Sequence, residues 1–222
     1  MNHLDETQWN IRVGEKWANH ELQQYVNKDE NIFFDNGLHL RATLDNGIIN
    51  SARINTKGKF SFKYGKIDIV AKVPKGKGTW PAIWMMPEEQ KYGHWPKSGE
   101  IDIMEHNGNN LDKIYCCLHT EAHNHRNGDP YEKIILNKGL SNDFQTYSLY
   151  WDQNKITYYI NDKELVTYIK GENNRDTSVK GWPFDEQFFI ILNLAMGGMF
   201  GGKVDMTSFP QDFIIKDIKV YQ

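Results

Sequence analysis

Short segments of alternating apolar and polar residues run the length of the chain, and most of them close on a turn signal. Residues 32–34 run into Asp35-Asn36-Gly37, and residues 38–42 alternate beyond it. Residues 60–64 meet Gly65, and alternation resumes over 66–73. Residues 147–151 meet Asp152-Gln153-Asn154-Lys155, and residues 156–160 meet Asn161-Asp162-Lys163-Glu164. Two more runs, 188–194 and 213–221, complete the series. A period of two puts successive side chains on opposite faces of a strand, and Asn-Gly and Asp-rich turns suit hairpins. A helical period is missing, so at most a turn or two is predicted near residues 7–9 and 185–187. Many short strands without interleaved helices predict an all-β protein, a sandwich or jelly roll of two antiparallel sheets. Neither a repeat nor a linker interrupts the 222 residues, so residues 1–222 read as a single domain.

Composition narrows the function. The net charge of −3 speaks against a nucleic-acid or anionic-membrane surface. The chain has no apolar run of 18 residues, which leaves no helical membrane span to predict. Cys116 and Cys117 are adjacent, and neighbours on a strand point to opposite faces, so no disulfide framework is expected. Aromatic residues are abundant: 7 Trp, 11 Tyr and 11 Phe. Most of these serve packing, but indole faces also grip sugar rings.

The run Glu100-Ile101-Asp102-Ile103-Met104-Glu105 carries the candidate chemistry. On a regular strand, residues 100, 102 and 104 share a face and 105 points away. A β-bulge at Ile103–Met104 would add one residue and return Glu105 to the face of the other two. Three carboxylates side by side repel, and one must hold a proton. A retaining glycosidase needs this arrangement: an ionised nucleophile and a protonated acid about 5–5.5 Å apart, with separated pKa values. Glu100 is then the nucleophile, Glu105 the acid/base, and Asp102 the group that hydrogen-bonds Glu100 and tunes both charges. A solvated acidic face and a hard-cation site are the competing readings.

Around this run stand Gly78-Thr79-Trp80-Pro81-Ala82-Ile83-Trp84-Met85-Met86-Pro87, Trp95-Pro96-Lys97-Ser98-Gly99 and Leu192-Asn193-Leu194-Ala195-Met196-Gly197-Gly198. With the acids, these stretches resemble glycoside hydrolase family 16, and within it the laminarinase-like endo-β-1,3-glucanases. The resemblance extends through Asn19-His20-Glu21-Leu22-Gln23, Ser51-Ala52-Arg53, Trp182-Pro183-Phe184 and Val220-Tyr221-Gln222. It implies a concanavalin-like jelly roll, a substrate cleft on the concave sheet and retention of anomeric configuration. By the same resemblance, Trp95 stacks on sugar, His119 hydrogen-bonds near the acid/base, and Arg53 and Asn19 line the non-reducing side. Trp182 is a candidate for the cleft rim, with core packing as its other reading. The extra residue at Met104 resembles the 1,3-glucanase branches of the family. A structural Ca²⁺ drawing on Gly37 and Asp217 is also implied, while catalysis itself calls for no cofactor. The loop Gly197-Gly198-Met199-Phe200-Gly201-Gly202 departs from the family, where Asn-Trp is commoner than Met-Phe.

Trp80 and Trp84, four apart on one face, read as core for at least one of them. His119, His123 and His125 form an H-x-x-x-H-x-H that a zinc ion would suit. The partner implied is a β-1,3-glucan or mixed-linkage β-1,3/1,4-glucan, bound by a monomer. The alternatives are a non-catalytic glucan-binding lectin on the same fold, a transglycosylase, and an endo-galactanase of the same family. A polymer substrate implies work outside the cell, although no apolar leader segment is visible in the chain.

Overall fold

A computed structural model describes residues 4–172 and 174–222. In chain order the strands are β1 (Asn10–Ile11), β2 (Gln24–Tyr25), β3 (Ile32–Phe34), β4 (Leu38–Asp45), β5 (Ile48–Ser51), β6 (Arg53–Asn55), β7 (Ser61–Phe62), β8 (Gly65–Lys72) and β9 (Thr79–Pro87). They continue as β10 (Glu100–His106), β11 (Lys113–His119), β12 (Tyr131–Leu136), β13 (Gln145–Trp151), β14 (Lys155–Ile160), β15 (Lys163–Ile169), β16 (Phe188–Met196) and β17 (Gln211–Tyr221). One sheet runs β1-β6-β16-β9-β10-β11-β12, with β7 beside β16. The other runs β15-β14-β13-β8-β17-β4-β5-β2, with β3 beside β4. Pairing is antiparallel apart from β2 on β5. This is the jelly-roll sandwich that the alternation predicts.

The alternation sets which face each sheet buries. From the first sheet, Ile83 and Met85, Ile101, Ile103 and Met104, Leu118, Leu192 and Leu194 point into the sandwich. From the second, Leu40, Ile67, Ile69, Leu149, Trp151, Tyr158 and Phe213 meet them. Burying each such side chain is worth about 1.5–3 kcal/mol, so a register slip in any central strand would forfeit several of these contributions together. β16 is buried on both faces along all nine residues. Its odd-numbered residues therefore lie beneath something on the outer face, and that face holds the acids.

Residues 185–187 form no helical turn. Single turns form instead at Ala18–His20, His125–Asn127 and Gly198–Gly201, all in loops that flank the first sheet. At His125–Asn127 the cause is local: the Asn124 side chain accepts from the amides of Arg126 and Asn127.

Candidate active site

The register of β10 against its neighbours contains the expected bulge. On the β9 side Asp102 faces Trp84, and Glu105 faces Ala82, with the shift falling between Asp102 and Met104. On the β11 side Glu100 faces His119, Asp102 faces Cys117 and Glu105 faces Tyr115. Ile103 and Met104 both turn into the core, so Glu105 returns to the outer face with Glu100 and Asp102. Gly99 leads into the row with φ +85°. A Cβ there would come within 2.9 Å of the Phe184 ring and 3.1 Å of Pro183. Only glycine lets the Pro183-Phe184 wedge close under the nucleophile's strand.

Burial raises the pKa of all three acids. For Glu100, burial acts first, then the charges of Asp102 and Glu105, and its carboxyl stands well above the ordinary range. Asp102 is raised by burial and by Glu105. A hydrogen bond links the Glu100 and Asp102 carboxyls, pushing the pKa of Glu100 up and that of Asp102 down. Glu105 is raised by burial too, opposed by the Trp80 indole, whose Nε1–H donates to Oε1 at 2.8 Å. His119 Nε2 stands 3.2 Å from Asp102 and 3.7 Å from Glu100. The row therefore contains a hydrogen-bonded acid pair at one end and, at the other, a separate carboxyl that holds its proton to higher pH than usual.

Trp80 and Trp84 both lie beside this row and not in the core, which corrects the expectation that at least one of them packs there. Their indoles share the outer face because residues four apart on a strand do. Trp84 Nε1–H donates to Asn193 Oδ1 at 2.7 Å, and the Arg53 guanidinium lies 4.8 Å above its ring. Arg53 is also 4.9 Å from the Trp17 ring, and its Nε has no hydrogen-bond partner. Asn193 Nδ2 in turn donates to the Tyr25 hydroxyl at 3.2 Å, and Tyr25 reaches Glu21. Sequence reasoning found Arg53 but missed Glu21, Tyr25 and Asn193. The available signal was weak: polar residues at alternate positions inside otherwise apolar strands.

The remaining candidates fall in different places. Trp95 packs 5.8 Å from His119, with Arg126 4.6 Å over its ring, at the Glu100 end. Asn19 sits exposed on the turn Ala18–His20, where its carbonyl would meet a Cβ at Gly198 at 2.7 Å. Phe200 of the glycine-rich loop packs 5.1 Å from Trp80 and 4.8 Å from Tyr115, flanking Glu105. Trp182 is only 3% exposed and packs edge-on to Phe184 in the core, so it does not form a rim. The three histidines of the H-x-x-x-H-x-H run do not converge, because His123 turns away to Asp176 at 2.9 Å. For calcium, the Gly37 carbonyl already accepts the Asp35 amide, and Asp217 pairs with Lys219 at 2.6 Å.

Among the described residues, four of the buried polar atoms without a hydrogen-bond partner lie around the row: Arg53 Nε, Trp95 Nε1, Asp102 Oδ2 and His119 Nδ1. Such atoms are costly unless a ligand satisfies them. The description Glycosyl hydrolases family 16 matches residues 19–208. The chain belongs to this family. Its relatives include a β-glucanase of Rhodothermus marinus, 37% identical over 98% of this chain and 80% of that protein. Among solved structures, the laminarinase of Rhodothermus marinus superposes with a TM-score of 0.94 at 37% identity, covering 100% of this chain and 93% of that one. The laminarinase of Flavobacterium sp. UMI-01 gives 0.91 at 36% identity, covering 99% and 95%. Family 16 enzymes are retaining glycoside hydrolases, and in this member the three acids share one face of β10, with Trp80 bound to Glu105.

Proposed function

We propose that this family 16 chain is an endo-β-glucanase of the laminarinase type, cutting β-1,3-glucan or mixed-linkage β-1,3/1,4-glucan by double displacement. The observation that carries the proposal is the bulged β10, which presents three buried acids of unequal environment to one face. Glu100 attacks the anomeric carbon while Glu105 delivers its proton to the departing glycosidic oxygen. The C–O bond to the leaving sugar breaks and an ester to Glu100 forms. Glu105, now a carboxylate, takes a proton from water; the water oxygen attacks the same carbon and the ester breaks. Asp102, hydrogen-bonded to Glu100 and 3.2 Å from His119, takes up the proton of that hydrogen bond as the nucleophile's charge is used. Trp84, Arg53 and Asn193 offer an aromatic floor with polar edges to the sugars on one side of the row, and Trp95 does so at the Glu100 end.

Reducing-sugar release from laminarin and from barley mixed-linkage glucan tests the substrate, and release from neither would refute it. Glu105→Ala should lower turnover about 10²–10⁴-fold, the usual worth of general acid/base catalysis. Azide separates the two acids. On a substrate with a good leaving group, Glu100→Ala plus azide should yield the α-glycosyl azide, because azide replaces the nucleophile and inverts the centre. Glu105→Ala plus azide should yield the β-glycosyl azide, because Glu100 still reacts first. The same anomer from both variants would overturn the assignment. Binding without turnover in the parent protein would assign a lectin instead.

A further inference from the structure

Cys117 and His119 stand two residues apart on β11, so both side chains point to the outer face. Glu132 is the residue directly opposite Cys117 on β12 and shares that face. The turn His125–Asn127, held by the Asn124 side chain, brings His125 over the same spot. The His125 ring lies 4.8 Å from that of His119, and its Nε2 is 3.8 Å from Glu132 Oε1. One donor atom each from Cys117, His119 and His125 lies within 4.8 Å of the others. Tetrahedral zinc with the usual bond lengths holds its donors roughly 3.5 Å apart, so a closure of about 1 Å brings these three to bonding range, and Glu132 beside His125 is the nearest candidate for the fourth place. His125 can supply that movement, because its side chain is 56% exposed. His119 is buried, its Nδ1 has no hydrogen-bond partner, and the Cys117 thiol reaches only the Leu118 carbonyl, at 3.8 Å.

We propose that Cys117, His119, His125 and Glu132 form a zinc-binding site beside the acid row, and that occupancy of the site switches the enzyme off. A thiolate, two imidazoles and a carboxylate select a borderline-soft ion over Ca²⁺ or Mg²⁺. On binding, the Cys117 S–H bond breaks, its proton passes to solvent and a sulfur–zinc bond forms. His119 is drawn from Asp102 to the metal, and a divalent charge stands next to the nucleophile's pair. Neither Cys117 nor His125 takes part in the reaction without metal.

Cobalt(II) serves as a spectroscopic probe for zinc and reports independently of any substrate. The parent chain with Co²⁺ should show a thiolate-to-cobalt charge-transfer band that Zn²⁺ displaces and that Cys117→Ser abolishes. His125→Gln, at an exposed position, should weaken Co²⁺ binding at least about tenfold, since even outer-sphere partners of a metal are worth 10–100-fold. The Zn²⁺ concentration that halves activity should rise at least about tenfold in either variant, while both match the parent in chelator. Should Cys117→Ser fail to fold, His125→Gln carries the test alone. Absence of the charge-transfer band in the parent, or unchanged zinc inhibition in His125→Gln, would overturn the proposal; the latter would put the ion on Glu100, Asp102 and His119 instead.

Discussion

At the scale of single residues, the balance at Glu105 is set by two opposing effects. Burial favours the neutral carboxyl, and the Trp80 indole N–H favours the charged one. A glycosidase acid must be protonated to start the reaction and deprotonated to finish it, so an intermediate position serves both steps. Trp80→Phe keeps the ring against Phe200 and removes only the donor. The carboxyl pKa should then rise further, and the alkaline limb of the kcat/KM profile should move to higher pH. A limb that stays put or moves to lower pH would show that Glu105 is not the group titrating there. The sequence placed at least one of Trp80 and Trp84 in the core because their spacing says that the two share a face, and not which face that is. The burial of the alternate residues Ile83 and Met85 decides it.

At the scale of elements, β10 owes its chemistry to one additional residue. Glu-x-Asp-x-x-Glu is one residue too long for plain alternation, and that surplus made the bulge legible before any coordinates. The pairing shows how the chain absorbs it: Ile103 and Met104 both enter the core. Deleting Met104 would restore plain alternation and leave the three acids on one face. The variant should keep measurable hydrolysis yet lose about 2–5 kcal/mol, the usual range for emptying a fully buried large apolar site. Denaturant unfolding and a laminarin assay measure the two quantities. Complete loss of activity in a folded variant would mean that the bulge sets the distance between Glu100 and Glu105 as well as their face. The loops were less legible. H-x-x-x-H-x-H suggested three converging histidines, but Asp176, some fifty residues further on, captures His123. A strand neighbour, Cys117, stands near the other two instead, and a cross-strand neighbour, Glu132, stands 3.8 Å from His125.

At the scale of the whole molecule, the acid row opposes stability. A carboxyl whose folded pKa is raised binds its proton more tightly in the folded state than in the unfolded one. Stability therefore falls as pH rises from the ordinary carboxylate range through the raised value, and the loss is complete above it. Glu105→Gln removes one such group and keeps an acceptor for Trp80. It should abolish activity, match the parent melting temperature near pH 4, and exceed it increasingly at higher pH. For a chain of this size each kcal/mol corresponds to about 2–4 °C. Equal melting temperatures across that pH range would mean that the row is not under electrostatic strain. The sequence by itself determined the class of fold and the bulge that sets Glu100, Asp102 and Glu105 on one face, because strand alternation and acid spacing are local properties read along one chain. Only the tertiary structure decided that Trp80 and Trp84 face outward, that Trp182 is buried, that Gly37 and Asp217 are already engaged, and that Cys117 stands beside His119 and His125. Each of those depends on which distant strand or loop lies opposite, and spacing along the chain carries no record of that.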